Sequence, residues 1–179
     1  MKQYVAFLGS INVGGNRLKM VDLRDALERE EFTGVETVVA SGNVLFTHEA
    51  RPSEGLSEKI AYVLREYFSI DSFAVVCDRF QLGAAIDNNP FAADGEDNLV
   101  HTHFLEQSTT QTLFDAMLDA YQGRGPERLA LGDDMVFIDY AEGVGRSRLT
   151  PGFLERRLGT RGTARNIRSL RRILDKMVV

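Results

Sequence analysis

Between Tyr4 and Cys77 the hydropathy period switches repeatedly, and the order of those switches constrains the fold more than any single residue does. Tyr4-Val5-Ala6-Phe7-Leu8 is a short, nearly continuous apolar run, the pattern of a central strand covered on its faces. Met20, Leu23, Ala26, Leu27 and the trailing Phe32 then recur at helical spacing among Asp22, Arg24, Asp25, Glu28 and Arg29, which predicts a helix over residues 20–30 stopped by Gly34. Val35 to Ala40 and Val44 to Phe46 are β-branched and apolar runs joined by Ser41-Gly42-Asn43, a connection whose Gly and Asn tolerate positive φ. Pro52-Ser53-Glu54 opens a second helix with Leu56, Ile60, Val63, Leu64, Tyr67 and Phe68 on one stripe, and Ser72 to Cys77 reads as a fourth strand.

That order, strand-helix-strand-strand-helix-strand, is the ferredoxin-like arrangement of two split βαβ units, with an antiparallel sheet and both helices on one face. After a short helix over 78–86, ended by Asn88-Asn89-Pro90, and an acidic loop over 92–98, the pattern starts again. Strands are predicted at 99–105, 128–131 and 135–140, a helix at 109–121, and another after Thr150-Pro151, with Gly159 as its stop. A last helix is expected from about Ala164, capped by Thr163 and buried along Ile167, Leu170, Leu174 and Met177, where a fourth strand was due. The fold class predicted is therefore α+β: a first ferredoxin-like subdomain over 1–78, a linker helix and loop over 79–98, and a second over 99–179 ending in an extra, basic helix.

Composition narrows the setting. The longest apolar runs are strand-sized, short of the roughly 20 residues a membrane helix needs, and Met1-Lys2-Gln3-Tyr4 leads straight into a strand rather than a secretory signal. The expectation is a cytoplasmic protein with no membrane partner. Cys77, alone in the chain, ends an apolar run and reads as a buried strand residue. Residues 146–179 carry ten Arg and Lys against Glu155 and Asp175, a net +8 in a chain whose formal charge is -5. Such a basic end faces an anionic partner or the acidic remainder of the same chain.

The glycine-rich loop Gly9-Ser10-Ile11-Asn12-Val13-Gly14-Gly15-Asn16 is the first candidate site. In a ferredoxin-like half it emerges at the same sheet end as the turn 41–43. Exposed N–H groups at Gly14 and Gly15, the helix dipole, side-chain hydrogen bonds from Asn12, Ser41 and Asn43 and the charge of Lys19 together suit an anion. Gly9 and Gly14 have the outer spacing of a P-loop, but Gly15-Asn16 stands where Lys and a hydroxyl are required, which excludes that form of nucleotide hydrolysis. The third strand lacks the aromatic signature of RNA-recognition modules. His101 and His103 share a strand face, yet His48 is the only further imidazole and no Cys pair exists, so no metal and no cofactor is predicted. Asp94, Glu96 and Asp97 lack calcium-loop spacing and read as a solvated loop. The second candidate is Arg146, Ser147, Arg148 and Thr150, guanidiniums and hydroxyls just before a helix N-terminus, with Arg165 and Asn166 extending it.

Ile11-Asn12-Val13-Gly14-Gly15, Leu18-Lys19-Met20, Ser41-Gly42-Asn43-Val44, Asn89-Pro90-Phe91, Ser147-Arg148-Leu149-Thr150 and Arg165-Asn166 together resemble the bacterial family catalogued as domain of unknown function 1697. The resemblance spans nearly the whole chain and implies two ferredoxin-like subdomains, with no established activity. The chain departs from the family pattern twice: Gly9-Ser10 stands where relatives have Arg-Gly, and Ile167 where they have Trp.

No nucleophile, base and metal arrangement is legible, so the sequence leaves open whether the protein is an enzyme. The reading taken is a protein that binds a small anionic metabolite, phosphorylated or carboxylated, at the glycine loop and the arginine segment. The alternative is a nucleic-acid or protein interaction module on the basic C-terminal region, whose binding would weaken steeply with salt.

Overall fold

The computed structural model describes residues 1–11, 17–40 and 42–179. Two units divide the chain: Met1–Leu82 with Arg172–Val179, and Gly83–Arg171.

In the first unit β1 (Lys2–Leu8), α1 (Met20–Arg29), β2 (Thr33–Thr37), β3 (Asn43–His48), α2 (Ser53–Phe68) and β4 (Ala74–Asp78) follow in order. The strands form one antiparallel sheet, β2-β3-β1-β4. Alternation along the strands turns Tyr4, Ala6, Leu8, Val44, Phe46, Ala74 and Val76 toward Leu23, Ala26 and Leu27 of α1 and Leu56, Ile60, Val63 and Leu64 of α2, forming one apolar core. The residues between them, Val5, Phe7, Leu45 and Cys77, are buried too, which explains why β1 is written as an unbroken apolar run. β2 is shorter than its hydropathy suggests. A bulge lies between Thr33 and Glu36, and the strand ends at Thr37, because Val39 turns into the left-handed region at φ 66°.

The helix α3 (Arg79–Asp87) leads into the second unit, with β5 (Val100–Leu105), α4 (Gln111–Tyr121), β6 (Arg128–Leu131), β7 (Met135–Asp139), a 3-10 turn at Val144–Arg146, α5 (Pro151–Leu158), β8 (Gly162–Asn166) and α6 (Ile167–Lys176). Its sheet is antiparallel in the order β6-β7-β5-β8. Leu105, Val136, Ile138 and Tyr140 meet Phe114, Met117 and Tyr121 of α4 and Phe153, Leu154 and Leu158 of α5. Thr150 caps α5 by accepting from Phe153 N–H at 3.2 Å, Pro151 occupies the first turn, and Gly159 closes the helix at φ 75°.

One sequence expectation is corrected here. Residues 162–166 are the fourth strand of this sheet, paired along β5 from Leu105↔Gly162 to His101↔Asn166, and the last helix starts only at Ile167. Its cap is Asn166, whose Oδ1 accepts from Ser169 N–H at 2.8 Å, rather than Thr163. Ile173 joins the buried stripe in place of Leu174. Arg165 obscured the strand, because a basic residue reads as helix surface when its burial is unknown. From Arg172 on, α6 and the residues after it belong to the first unit, within which Arg79 Nη1 donates to Leu174 O at 2.7 Å and Met177 O at 3.1 Å, and Val178 N–H to Gln3 Oε1 at 2.7 Å. Among the described residues no helix is long and apolar enough to cross a membrane.

Candidate functional site

The first candidate site is built at the end of the first sheet. Leu8 N–H donates to Gly42 O at 2.8 Å and Gly9 N–H to Phe73 O at 2.9 Å, so β1 leaves the sheet between the β2-β3 turn and the start of β4. Ser72 Oγ donates to Gly9 O at 2.5 Å and fixes the exit. Gly9 is required by close approach, since a Cβ there would penetrate the Phe73 ring. Ser10 then has φ 34°, which accounts for a family glycine at this position and makes serine the strained choice. On the turn side Val38 N–H bonds Asn43 O at 2.9 Å, and Ala40 N–H bonds Val38 O at 2.7 Å around the left-handed Val39. A β-branched residue there carries local backbone strain, a state that clusters at functional sites. Gly42, at φ 93°, completes the turn.

Lys19 is exposed at the entry to α1, with φ -80° and ψ 132° and no side-chain capping bond. Arg17, which the sequence reading passed over, is exposed beside it on the loop. Asn43 is buried at 1% exposure in the first position of β3. Asn12, Gly14, Gly15 and Ser41 lie outside the described residues.

In the second unit the predicted residues separate into two kinds. Arg146 and Arg148 are exposed, and neither has an ion pair among the described residues. The others have structural work: Ser147 Oγ donates to Glu127 Oε1 at 2.6 Å and accepts from Leu149 N–H at 3.0 Å, while Thr150 and Asn166 cap helices. Glu127 also accepts from Tyr121 at 2.7 Å. Burial pushes the Glu127 carboxyl up, but the hydrogen bonds from Ser147 and Tyr121 outweigh it and leave the pKa lowered. Arg165 is half-buried in β8, donates to Thr163 Oγ1 at 2.7 Å and Ala164 O at 2.9 Å, and has its pKa pulled down to about 10 by burial.

The acidic loop is not merely solvated, as the sequence suggested. Arg128 grips Asp94 with both terminal nitrogens and Asp139 at 2.6 Å, while its guanidinium covers the Phe91 ring at 4.7 Å. Asp97 pairs with Arg171 at 2.7 Å. His103 is 5% exposed with its Nδ1 unpartnered, and burial followed by the nearby His101 lowers its pKa to about 4. Among the described residues no group of three or more His, Cys, Asp or Glu could hold a metal. Cys77 is buried, and desolvation raises its thiol to about 12.

Among the described residues the arrangement is that of an α+β protein, with two four-stranded antiparallel sheets and six α-helices. Residues 1–137 match the family described as "Protein of unknown function (DUF1697)", and the chain belongs to that family, as its motifs implied. The fold is similar to that of a solved structure described as "conserved bacterial protein SP0830 from Streptococcus pneumoniae", with a TM-score of 0.70 over 98% of this chain and 97% of that one at 20% identity. Comparison with curated proteins gave no match.

Proposed function

We propose that the protein binds a small anionic metabolite, phosphorylated or carboxylated, where β1 runs into the glycine-rich loop. One observation carries this reading: Leu8 N–H to Gly42 O at 2.8 Å joins the loop to the β2-β3 turn, and the left-handed Ser10 and Val39 flank that junction. Backbone strain beside glycines and an exposed lysine is the preparation an anion seat needs. Asn12, Gly14, Gly15 and Ser41 belong to the proposal as backbone and side-chain donors, with Lys19 as the cation and Asn43 as the buried support of the turn. Within the second unit Arg146 and Arg148 are exposed cations, whereas Ser147, Thr150 and Asn166 act through the loop and helix caps they hold.

The finer fold reading, two ferredoxin-like subdomains, is supported by the strand orders β2-β3-β1-β4 and β6-β7-β5-β8 with two helices over one face of each sheet. The alternative, an interaction module on the basic C-terminal region, has less support because Arg161 is held by Glu106 and Arg171 by Asp97.

Calorimetric titration with a panel of phosphorylated and carboxylated metabolites tests the reading. Lys19→Ala should weaken the best ligand by about tenfold or more, as loss of a charge-assisted hydrogen bond does. Unchanged affinity in that variant, or binding that falls steeply with salt and only to polyanions, would count against it.

A further inference from the structure

A second cationic feature stands wholly inside the second unit and involves residues that neither candidate segment contains. Phe153, 6% exposed in α5, carries two guanidiniums on its ring: Arg157 at 5.5 Å from the same helix and Arg124 at 5.8 Å from the segment after α4. Tyr121 meets the same ring edge-on at 5.6 Å. Burial, and then its bond to Glu127, shift the Tyr121 hydroxyl up. Two arginines thus flank one aromatic pair, and neither has a carboxylate partner among the described residues. Cations gathered without a counter-charge repel one another, and ring faces that fix two planar forks reduce the ordering an anion would otherwise require.

Adjoining this group is a hollow of about 360 Å³, bordered by Tyr121, Gly123, Gly125, Asp119 and Glu127. Arg124 lies between the two glycines of that border. Gly125 has no room for a Cβ, which would strike the Glu127 carboxylate and the Tyr121 hydroxyl, so the loop backbone closes directly on the hydrogen-bonded pair. The volume falls in the range of small-molecule sites. Its acidic border accepts hydroxyl groups, while the arginines beside it match a phosphate monoester, whose charge near -2 at neutral pH exceeds that of a carboxylate.

We propose that Arg124 and Arg157 on Phe153 form a second anion site, taking the phosphate of a small hydroxylated phosphomonoester whose hydroxyls lie against Asp119 in the adjoining hollow. It is independent of the glycine-loop reading.

Calorimetry on the full chain with inorganic phosphate, glycerol 3-phosphate, acetate and a single-stranded oligonucleotide tests it. Measured in the Lys19→Ala background, which removes the glycine-loop contribution, the expected result is binding of both phosphates, glycerol 3-phosphate the tighter, at least about tenfold weaker when Arg124→Gln/Arg157→Gln is added. Arg157→Lys, which keeps the charge but loses the planar fork, should weaken binding severalfold, and thermal unfolding verifies that each variant is folded. Equal binding by the double variant, acetate binding as tightly as phosphate, or the oligonucleotide being the preferred ligand with a steep salt dependence would each overturn the proposal.

Discussion

Where β1 leaves the first sheet and β5 leaves the second, the backbone makes corresponding hydrogen bonds among very different side chains. Leu8 N–H to Gly42 O at 2.8 Å corresponds to Leu105 N–H to Asp134 O at 3.1 Å, and Gly9 N–H to Phe73 O to Glu106 N–H to Arg161 O, both at 2.9 Å. Gly42 and Asp134 both have positive φ, at 93° and 56°. At the second sheet's end Glu106 binds Arg161 bidentately, at 2.7 and 3.0 Å, and Ser108 Oγ donates to Asp134 Oδ1 at 2.8 Å. The first sheet's end has glycines at the matching positions and an exposed lysine nearby. Strand order presents a loop at both ends, and side chains decide that one is closed by an ion pair while the other is built on glycines.

The central strands differ in the same way. Val5, Ala6 and Phe7 are fully buried and apolar, whereas β5 buries Thr102 and His103. The largest expected effect probes the apolar unit. Phe46, 0% exposed, stacks on Tyr4 at 5.6 Å and meets Phe32 edge-on at 4.9 Å, so Phe46→Ala should cost about 3–5 kcal/mol in denaturant unfolding. A loss below about 1 kcal/mol would break the claim that this unit rests on its apolar core.

Acid should act on the other unit. With a folded pKa of about 4 against an ordinary 6.5, His103 binds its proton more tightly in the unfolded chain. Its contribution is therefore constant above that unfolded value, declines as pH falls through it, and levels off once the folded state protonates near pH 4, a total loss of about 3 kcal/mol. His103→Leu should remove this part of the pH dependence, and parallel stability curves for the two proteins would contradict it.

Glu106→Ala sharpens the contrast between the sheet ends. The pair is partly exposed, so the variant should lose only about 0.5–1 kcal/mol of stability, and with the Glu106 carboxylate removed it should increase anion binding at the second sheet's end by NMR titration. Smallest of all is the response of Cys77, which is buried with its thiol raised to about 12 and should resist labelling until the protein unfolds.

Much of this fold was legible because apolar periodicity and punctuation agreed: the run 4–8 became β1, and Thr150-Pro151 with Gly159 bounded α5 as written. β8 was hidden because an edge strand of Gly-Thr-Ala-Arg-Asn, half-buried throughout, has no apolar alternation to read. At the first candidate site, chemistry could be read from glycine, asparagine and lysine, but the left-handed Val39 could not, since β-branching argues for strand until tertiary context overrides it. Arg124 and Arg157 were silent for a different reason. Arg157 reaches Phe153 along its own helix, four residues on, but nothing in the local sequence connects Arg124 to them, and only the packing of α4 against α5 brings it to that ring.

Backbone amide NMR during titration with inorganic phosphate and with carboxylated metabolites tests the central claim most directly, that the first sheet's end is a ligand seat and the second's is not. The account predicts saturable shifts at Gly9, Ser10, Ile11, Gly42 and Asn43, abolished by Lys19→Ala, with Glu106, Gln107 and Asp134 unmoved. Shifts at the second sheet's end in place of the first, or no saturable response at Gly9 and Gly42 to any anion tested, would contradict it.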